Sequence, residues 1–334
     1  MEIPTTELPV FFSRSKMAGP QIVAFGGGHG LFSALRAFRL LTKNLTAVVT
    51  VADDGGSSGR LREEFDVLPP GDLRMALAAL CGDSEWGQTW RDVIQHRFVS
   101  DGPLNDHSAG NLLITALWQH LGDPVDGLDW MAQLVRAQGR VLPMSSIPLT
   151  ITADVDDGYG NLEKVSGQCN VATTSGTVKQ VHLEPDSPPA RRETLESVTN
   201  ADVLNLGPGS WYTSVMPHML VPQLQQAIRD SDAVKILTLN LPGDTEEGRG
   251  MQMRDFVRVL HEHAPDLHID YVLVDEEAGR GQTGLATTAS NLFGARTWFA
   301  SVESSSPGVH DSLKLAACYR DILSDAGIPT NEQW

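Results

Sequence analysis

Residues 21–38, QIVAFGGGHGLFSALRAF, decide the fold. A short apolar run, residues 21–25, ends in a glycine cluster made of Gly26, Gly27, Gly28 and Gly30. Leu31, Leu35 and Phe38 follow at the spacing of one helix face, so the stretch predicts a strand, a glycine turn and a helix. Such a turn lets backbone N–H groups at a helix N-terminus approach an anion. A tight turn without a ligand is the alternative, and the glycines alone leave both open.

A second strand is predicted at residues 45–52, LTAVVTVA, whose β-branched residues suit a buried parallel strand. It delivers Asp53 and Asp54 at its carboxyl end, where open α/β sheets bind their ligands. Further strands are predicted at residues 201–205, 234–239, 269–274 and 296–299. The alternation of strands and helices indicates an α/β fold with a mostly parallel sheet.

The domain organisation is predicted from composition along the chain. We expect residues 1–20 to form a disordered leader and residues 21–334 to form a single α/β domain. Residues 149–183 change to short, alternating, Thr- and Val-rich pieces, which are typical of a β-hairpin or meander insertion.

Composition also excludes some classes of function. The 42 acidic and 25 basic residues give a net charge of −17, which argues against binding nucleic acid. No apolar run approaches the roughly 18–20 residues of a membrane helix, and the start lacks a secretory layout. The three cysteines, Cys81, Cys169 and Cys318, are scattered and have no metal-ligand spacing. We therefore expect a cytoplasmic protein without membrane insertion.

The segment DDGGSSGRLR, residues 53–62, is the strongest candidate site. Asp53 and Asp54 could position a hydroxyl, abstract its proton or bind Mg²⁺, with Asp54 as the metal ligand. Ser57, Ser58 and Arg60 are predicted ligand contacts. Arg60 suits a phosphate because its guanidinium offers a planar fork to oxyanions. An Asx turn is the better explanation for a single Asp, but the whole segment favours a functional site.

Two later polar segments extend this candidate site. Asp72 is predicted to cap a helix over residues 73–80 and, beside Arg74, to join the acidic pair. His107 and Asn111 precede another helix and are predicted to contact a base, a phosphate or the substrate. Helix capping is the alternative role for the loop that carries them.

A second glycine-rich loop, LGPGSWYTS at residues 206–214, follows a predicted strand. The loop suits a nucleotide or phosphate, with contacts from Gly207, Gly209, Ser210, Tyr212 and Thr213. The alternative is a buried turn with its aromatic rings in the core. Asn240, which ends the next strand, is a further predicted ligand contact.

Five motifs carry a family resemblance: GGGHG, TVADDGGSSGRLR, PPGDLR, HSAGNLL and LGPGSWYTSVMPHMLV. In this order they closely resemble the gluconeogenesis factor family of bacteria, which is similar to the 2-phospho-L-lactate transferases that act on a deazaflavin. The likeness covers residues 21–274 and 310–316. It implies a Rossmann-like α/β fold with three α/β/α layers. It also implies a cytoplasmic protein that binds UDP-N-acetylglucosamine and supports cell shape and growth on gluconeogenic carbon sources.

The resemblance also implies roles for particular residues. Residues 26–30 and 207–213 would contact the nucleotide and its phosphates, and Asp53, Asp54 and Asp72 would form the transferase-like acidic centre. The chain departs from the family at two points. His29 stands where the family usually has Thr, and residues 243–251 lack the aromatic residue that family members tend to place near the sugar nucleotide.

Two classes of function follow, both with a nucleotide or nucleotide sugar as partner and with homo-oligomers as an option. The first is a regulatory protein that binds the ligand without turnover. The second is a transferase that moves a phosphate-linked group from a nucleoside diphosphate donor to an acceptor hydroxyl. In the transferase, Asp54 or Asp72 would be the base or Mg²⁺ ligand, and Arg60 or Arg74 would stabilise developing charge. An NAD-linked oxidoreductase is disfavoured, because the acidic ribose-binding residue of the dinucleotide fingerprint is absent.

Overall fold

The structure, a computed structural model, describes residues 19–159, 161–242 and 251–330. The strands within these ranges are β1 (Ile22–Gly26), β2 (Leu45–Val49), β3 (Arg140–Pro143), β4 (Thr150–Asp156), β5 (Leu162–Ser166), β6 (Thr177–Glu184), β7 (Val203–Leu206), β8 (Val234–Thr238), β9 (Tyr271–Asp275) and β10 (Arg296–Ala300). The helices are α1 (Gly28–Phe38), α2 (Gly56–Phe65), α3 (Pro70–Leu80), α4 (Glu85–Gln95), α5 (Ala109–Leu121), α6 (Pro124–Val135), α7 (Gln168–Ala172), α8 (Arg192–Thr199), α9 (Met216–Met219), α10 (Pro222–Asp230), α11 (Met253–His263), α12 (Glu276–Gly279), α13 (Leu285–Phe293) and α14 (Ser312–Asp325). A π-helical turn, Trp211–Val215, precedes α9.

The main sheet has seven strands in the order β10-β9-β8-β7-β1-β2-β3, and every neighbouring pair is parallel. All five residues of β1 are buried, as expected for a central parallel strand covered on both faces. Ile22 lies opposite Leu45 of β2 on one side and Val203 of β7 on the other. The strand order therefore reverses between β1 and β7, and this switch point is where such sheets bind their ligands. The predicted Rossmann-like α/β fold is confirmed.

The β-rich insertion forms a separate three-stranded antiparallel sheet in the order β5-β4-β6. Its central strand β4 pairs with β5 on one edge and with β6 on the other. The sheet is therefore a hairpin with a returning strand and not a simple meander. The short helix α7 connects β5 to β6 and packs against the π-helical turn that follows β7.

One helix start differs from the prediction. Helix α3 begins at Pro70 with Pro69 as its N-cap residue, so Asp72 lies inside the first turn and does not cap the helix. Pro is favoured at the first helical position, where its missing N–H is not needed. The side chain of Asp72 is therefore free to reach another element of the fold.

Some predictions concern segments that the described ranges do not reach. Residues 1–18 of the expected leader and residues 243–250 of the loop after Asn240 lie outside them. Pro20, the last residue of the expected leader, lies within the described ranges. Its carbonyl oxygen accepts a hydrogen bond from Thr42 Oγ1 at 2.6 Å. Among the described helices, none is both long and apolar enough to cross a lipid bilayer.

The end of β9 is held by one buried carboxylate. Asp275 Oδ1 accepts hydrogen bonds from the N–H groups of Glu277 and Ala278, both at 3.0 Å. Its Oδ2 accepts from those of Val302 and Glu303 at 2.9 and 3.1 Å. Burial raises the pKa of Asp275, but the four N–H donors outweigh it and hold the pKa below its ordinary value. Asp275 thus ties the chain after edge strand β10 to the neighbouring strand.

Replacing Asp275 with Asn should lower the free energy of unfolding by about 2–4 kcal/mol, because the new amide group would face two N–H donors. Urea denaturation measures the loss. Asp311→Asn is the matched control, since Asp311 caps α14 through a single oxygen and Asn is also a good N-cap. Equal stability of the two variants would contradict this role for Asp275.

Candidate functional site

The two glycine loops meet at the switch point of the sheet. A Cβ atom on Gly30 would lie 2.4 Å from the Pro208 carbonyl oxygen and 2.6 Å from Gly209 Cα, so only glycine fits there. The contact places the N-terminus of α1 beside the loop that leaves β7. The first-turn N–H groups of His29 and Gly30 have no acceptor within their own helix, and they are suited to bind an anion.

Asn240 holds the second glycine loop. Its Oδ1 accepts the Gly209 N–H at 2.7 Å, and its amide nitrogen donates to the Gly209 carbonyl oxygen at 2.6 Å. Asn240 was predicted to contact the ligand. Its amide group fixes the backbone of Gly209 and so shapes the loop, and the ligand contact stays a prediction.

Asp72 connects the first glycine loop to Asp53. Its Oδ1 accepts the Gly28 N–H at 3.1 Å. A Cβ atom on Gly27 would lie 2.5 Å from Asp72 Oδ2, and one on Gly71 would lie 2.8 Å from Asp53 Oδ2. The structure therefore brings Asp53 and Asp72 together beside the loop, and small residues make this close approach possible.

The environment of Asp72 shifts its ionisation. Burial raises the pKa of Asp72 to about 7, and repulsion from Asp53 adds to the rise. The Gly28 N–H and the Arg74 charge act in the opposite direction but are weaker. Near neutral pH, Asp72 therefore exists in both protonation states, which is the condition for a group that exchanges protons.

Asp54 contacts a different element of the fold from Asp53 and Asp72. Its Oδ1 accepts the Cys169 N–H at 3.1 Å, and a Cβ atom on Gly167 would lie 2.4 Å from its Oδ2. Asp54 therefore joins the acidic loop to α7 of the insertion. Among the described residues, no group of three or more His, Cys, Asp or Glu side chains could hold a metal ion. Magnesium binding by Asp54 stays a prediction.

Ser57 is the centre of a buried hydrogen-bond network. Its Oγ accepts from the Ser108 N–H at 3.3 Å and from Asn111 Nδ2 at 3.1 Å, and lies 3.0 Å from His107 Nδ1. Since the two donors occupy its lone pairs, the Ser57 proton is directed to His107 Nδ1, and the imidazole is neutral with its proton on Nε2. Burial, followed by the charge of Arg60, lowers the pKa of His107 and favours the same state.

Arg74 is a buried cation with no hydrogen-bond partner among the described residues. Its side chain belongs to a residue only 6% exposed, and its Nε is enclosed without an acceptor. Burial lowers the pKa of Arg74 to about 10, and Arg97 adds to the effect while Asp72 and Asp53 oppose it. The guanidinium therefore keeps its charge at neutral pH. Asn111 Oδ1 is likewise buried without a partner.

Other predicted ligand contacts hold the loops around the site. Ser58 Oγ accepts the Gly71 N–H at 2.9 Å, and Ser210 and Thr213 share a hydrogen bond between their hydroxyls. Arg60 is exposed and donates to two backbone carbonyl oxygens of the loop before α5. Tyr212 is fully buried, which agrees with the alternative that its aromatic ring lies in the core.

Sequence patterns did not indicate that the β-rich insertion reaches the site. Gly167 and Cys169 contact Asp54, which lies more than a hundred residues earlier in the chain. The only local signal is a glycine directly after β5, and this is compatible with an ordinary turn.

Replacing Asp72 with Asn should stabilise the protein at pH 8 and much less at pH 5. Because the folded pKa of Asp72 is raised from 3.8 to about 7, its carboxyl lowers folded-state stability progressively as pH rises through that interval. Asn keeps an oxygen for the Gly28 N–H, so the gain at pH 8 should be about 2–4 kcal/mol. Urea denaturation at both pH values measures it, with the exposed Asp101→Asn as control. The same change at pH 5 and pH 8 would refute the assignment.

Known proteins share this architecture. The family model described as 2-phospho-L-lactate transferase CofD matches residues 22–292. A Mycobacterium tuberculosis protein named "Putative gluconeogenesis factor" is 46% identical, with 90% of this chain and 91% of that protein covered. The Listeria monocytogenes "Gluconeogenesis factor" is 35% identical, with 92% and 90% covered. A crystal structure of a UPF0052 family protein from Bacillus halodurans matches with a TM-score of 0.80 at 32% identity, covering 90% of this chain and 99% of that one. The chain therefore belongs to the gluconeogenesis factor family, within the sequence group described by the 2-phospho-L-lactate transferase CofD model.

Proposed function

We propose that the protein is a cytoplasmic nucleotide-sugar-binding protein, with UDP-N-acetylglucosamine as its ligand, required for cell shape and for growth on gluconeogenic carbon sources. The observation that carries the proposal is Arg74, a buried guanidinium with no hydrogen-bond acceptor among the described residues, on the helix whose Asp72 reaches the first glycine loop. A buried guanidinium that lacks acceptors is costly even beside the charges of Asp72 and Asp53, and an anionic ligand would supply the acceptors.

The cleft has the features that a diphosphate requires. The N-terminus of α1 supplies N–H groups and the positive end of a helix dipole. Arg74 adds a full positive charge within a chain whose net charge is −17. Because the surrounding protein repels anions, these local groups would determine both the site and the orientation of the phosphates.

Asp53 and Asp72 suit the sugar end of the ligand. Their carboxylates would repel phosphate oxygens, but they accept hydrogen bonds from hydroxyl and amide groups. A nucleotide sugar offers both kinds of group: phosphates for Arg74 and the N–H groups, and sugar hydroxyls for the carboxylates. The gluconeogenesis factor names of the relatives support the proposed role in growth.

The first test compares two buried arginines. Arg74→Gln should weaken UDP-N-acetylglucosamine binding at least about tenfold, since a hydrogen bond to a charged group contributes about 1.5–3 kcal/mol. The same variant should change the stability of the ligand-free protein only slightly, because the cost of burying the Arg74 charge offsets its attraction to Asp72 and Asp53. Arg39→Gln is the control: Arg39 is paired with Asp83 at 2.6 Å, so this variant should lose stability and keep its affinity.

Isothermal titration gives the affinities, and a thermal-shift series identifies the nucleobase. The series compares uridine, guanosine and adenosine diphosphates and their sugars, with and without Mg²⁺. A bound ligand raises the melting temperature according to ln(1 + [L]/Kd). A flat response to every uridine compound would exclude the UDP-sugar assignment, and a response to another base would replace it.

A transferase is the second candidate, because Asp72 beside Asp53 has the pKa near 7 that suits a general base. Such an enzyme would move a phosphate-linked group from a nucleoside diphosphate donor to an acceptor hydroxyl. If Mg²⁺ binds Asp53 and Asp72, the affinity for the nucleotide measured with Mg²⁺ should rise with pH through about 7, since the metal needs the ionised carboxylate of Asp72. Without Mg²⁺ the affinity for the nucleotide should fall over the same range, because the ionised carboxylate repels its phosphates. Turnover that Asp72→Asn abolishes while leaving binding measurable would establish the enzyme, whereas its absence across donors and acceptors favours the binding protein.

A further inference from the structure

A chain of buried polar side chains crosses the core behind the second glycine loop. It consists of Asn205 on β7, Thr238 on β8 and Tyr319 on α14, each at most 1% exposed. Thr238 Oγ1 donates to Asn205 Oδ1 at 3.0 Å and lies 2.9 Å from the Tyr319 hydroxyl. The Asn205 amide nitrogen donates to the Gly207 carbonyl oxygen, at the start of the loop.

The hydrogen bonds have one consistent direction. The single Thr238 proton goes to Asn205 Oδ1, so the Tyr319 hydroxyl must donate to Thr238 Oγ1. This arrangement orients the Asn205 amide with its nitrogen toward Gly207. Burial raises the pKa of Tyr319 well above its ordinary value, so its donating proton stays in place at physiological pH.

The same residues enclose the start of the loop sterically. Gly207 has φ +76°, and a Cβ atom there would lie 2.7 Å from the Thr238 carbonyl oxygen. The Gly207 N–H donates to the Phe25 carbonyl oxygen of β1 at 3.1 Å. Gly207 is therefore held from β1, from β8 and by the side chain of Asn205.

Tyr319 also contacts the helix of the first glycine loop. Its ring stacks on Phe38, with centroids 4.1 Å apart and planes inclined by 14°. Phe38 is the last residue of α1, whose N-terminus meets the second loop at Gly30. Tyr319 thus joins the network behind the second loop to the end of α1 that lies opposite the first loop.

Stability alone is a weak reason for this network. Apolar side chains of the same volume often stabilise a core as well as a buried polar network does. A fully satisfied network, however, fixes one geometry, because any misplacement leaves a buried donor or acceptor without its partner. The network ends on a loop backbone, so that backbone is what it fixes.

We propose that Asn205, Thr238 and Tyr319 are positioning residues that hold the loop at residues 207–209 in the geometry that receives the ligand's phosphates. The identity of the ligand rests on the function proposed above; the positioning of the loop does not. None of the three side chains needs to touch the ligand.

The test uses paired variants and two readouts. Thr238→Val removes the hydroxyl without changing the shape of the side chain, and Thr238→Ser restores it. Tyr319→Phe removes the donating proton and keeps the ring stack. Tyr271→Phe is its control, because the Tyr271 hydroxyl also donates to a side chain, Asp325 at 2.7 Å, in a network separate from this loop.

The first readout is amide hydrogen exchange in the ligand-free protein. Thr238→Val should accelerate exchange at Gly207 and Gly209 at least about tenfold, Tyr319→Phe by a smaller factor, and Thr238→Ser and Tyr271→Phe hardly at all. The second readout is the ratio of the UMP and UDP dissociation constants. This ratio should fall in Thr238→Val, since a displaced loop loses more of the second phosphate's contribution than of the first.

Unchanged exchange at Gly207 and Gly209 in Thr238→Val would overturn the proposal. So would faster exchange with an unchanged UMP-to-UDP ratio, since the network would then stabilise a loop that does not receive phosphate. If the wild-type protein bound neither nucleotide, the function proposed above would fail by itself. The exchange data would still decide whether these residues position the loop.

Discussion

The structure depends on one close approach: Gly30 at the start of α1 lies against Pro208 and Gly209 of the loop that leaves β7. The contact is possible because the strand order reverses between β1 and β7, so the chain leaves these two neighbouring strands toward opposite faces of the sheet. A single methyl group on Gly30 would separate the loops. Helix α1, Asp72 and the buried network behind β7 all reach this meeting point.

The electrostatics of the cleft follow from the same arrangement. Asp72 reaches the first glycine loop, and its charge is disfavoured by burial and by Asp53. Arg74 lies two residues further along α3 and keeps its charge without a hydrogen-bond partner among the described residues. The site thus holds a carboxyl group near its titration point and a guanidinium without a hydrogen-bond acceptor among the described residues. Perturbed groups of this kind cluster at functional sites, which supports the proposal of a binding site here.

Local patterns were sufficient to predict the fold, and the candidate residues were found where charged and glycine-rich segments follow buried strands. The N-cap assignment of Asp72 was wrong, because Pro70 starts the helix earlier than the hydrophobic pattern suggests. Asp53 lies beside Gly71, whereas Asp54 accepts the Cys169 N–H, and the sequence did not indicate that the two carboxylates contact different elements. The contact between Asp54 and Cys169, and the roles of Thr238 and Tyr319, depend on distant parts of the chain, and local periodicity carries no information about them.

The central claim is that both glycine loops bind one nucleotide sugar. The most direct measurement is a titration of ¹⁵N-glycine-labelled protein with UDP-N-acetylglucosamine, followed by NMR. The account predicts that the amide resonances of Gly28, Gly30, Gly207 and Gly209 shift together with a single dissociation constant. The resonances of Gly122 and Gly294, which end α5 and α13, should stay in place. Shifts confined to one loop, or shifts at Gly122 and Gly294 without shifts at the loops, would contradict it.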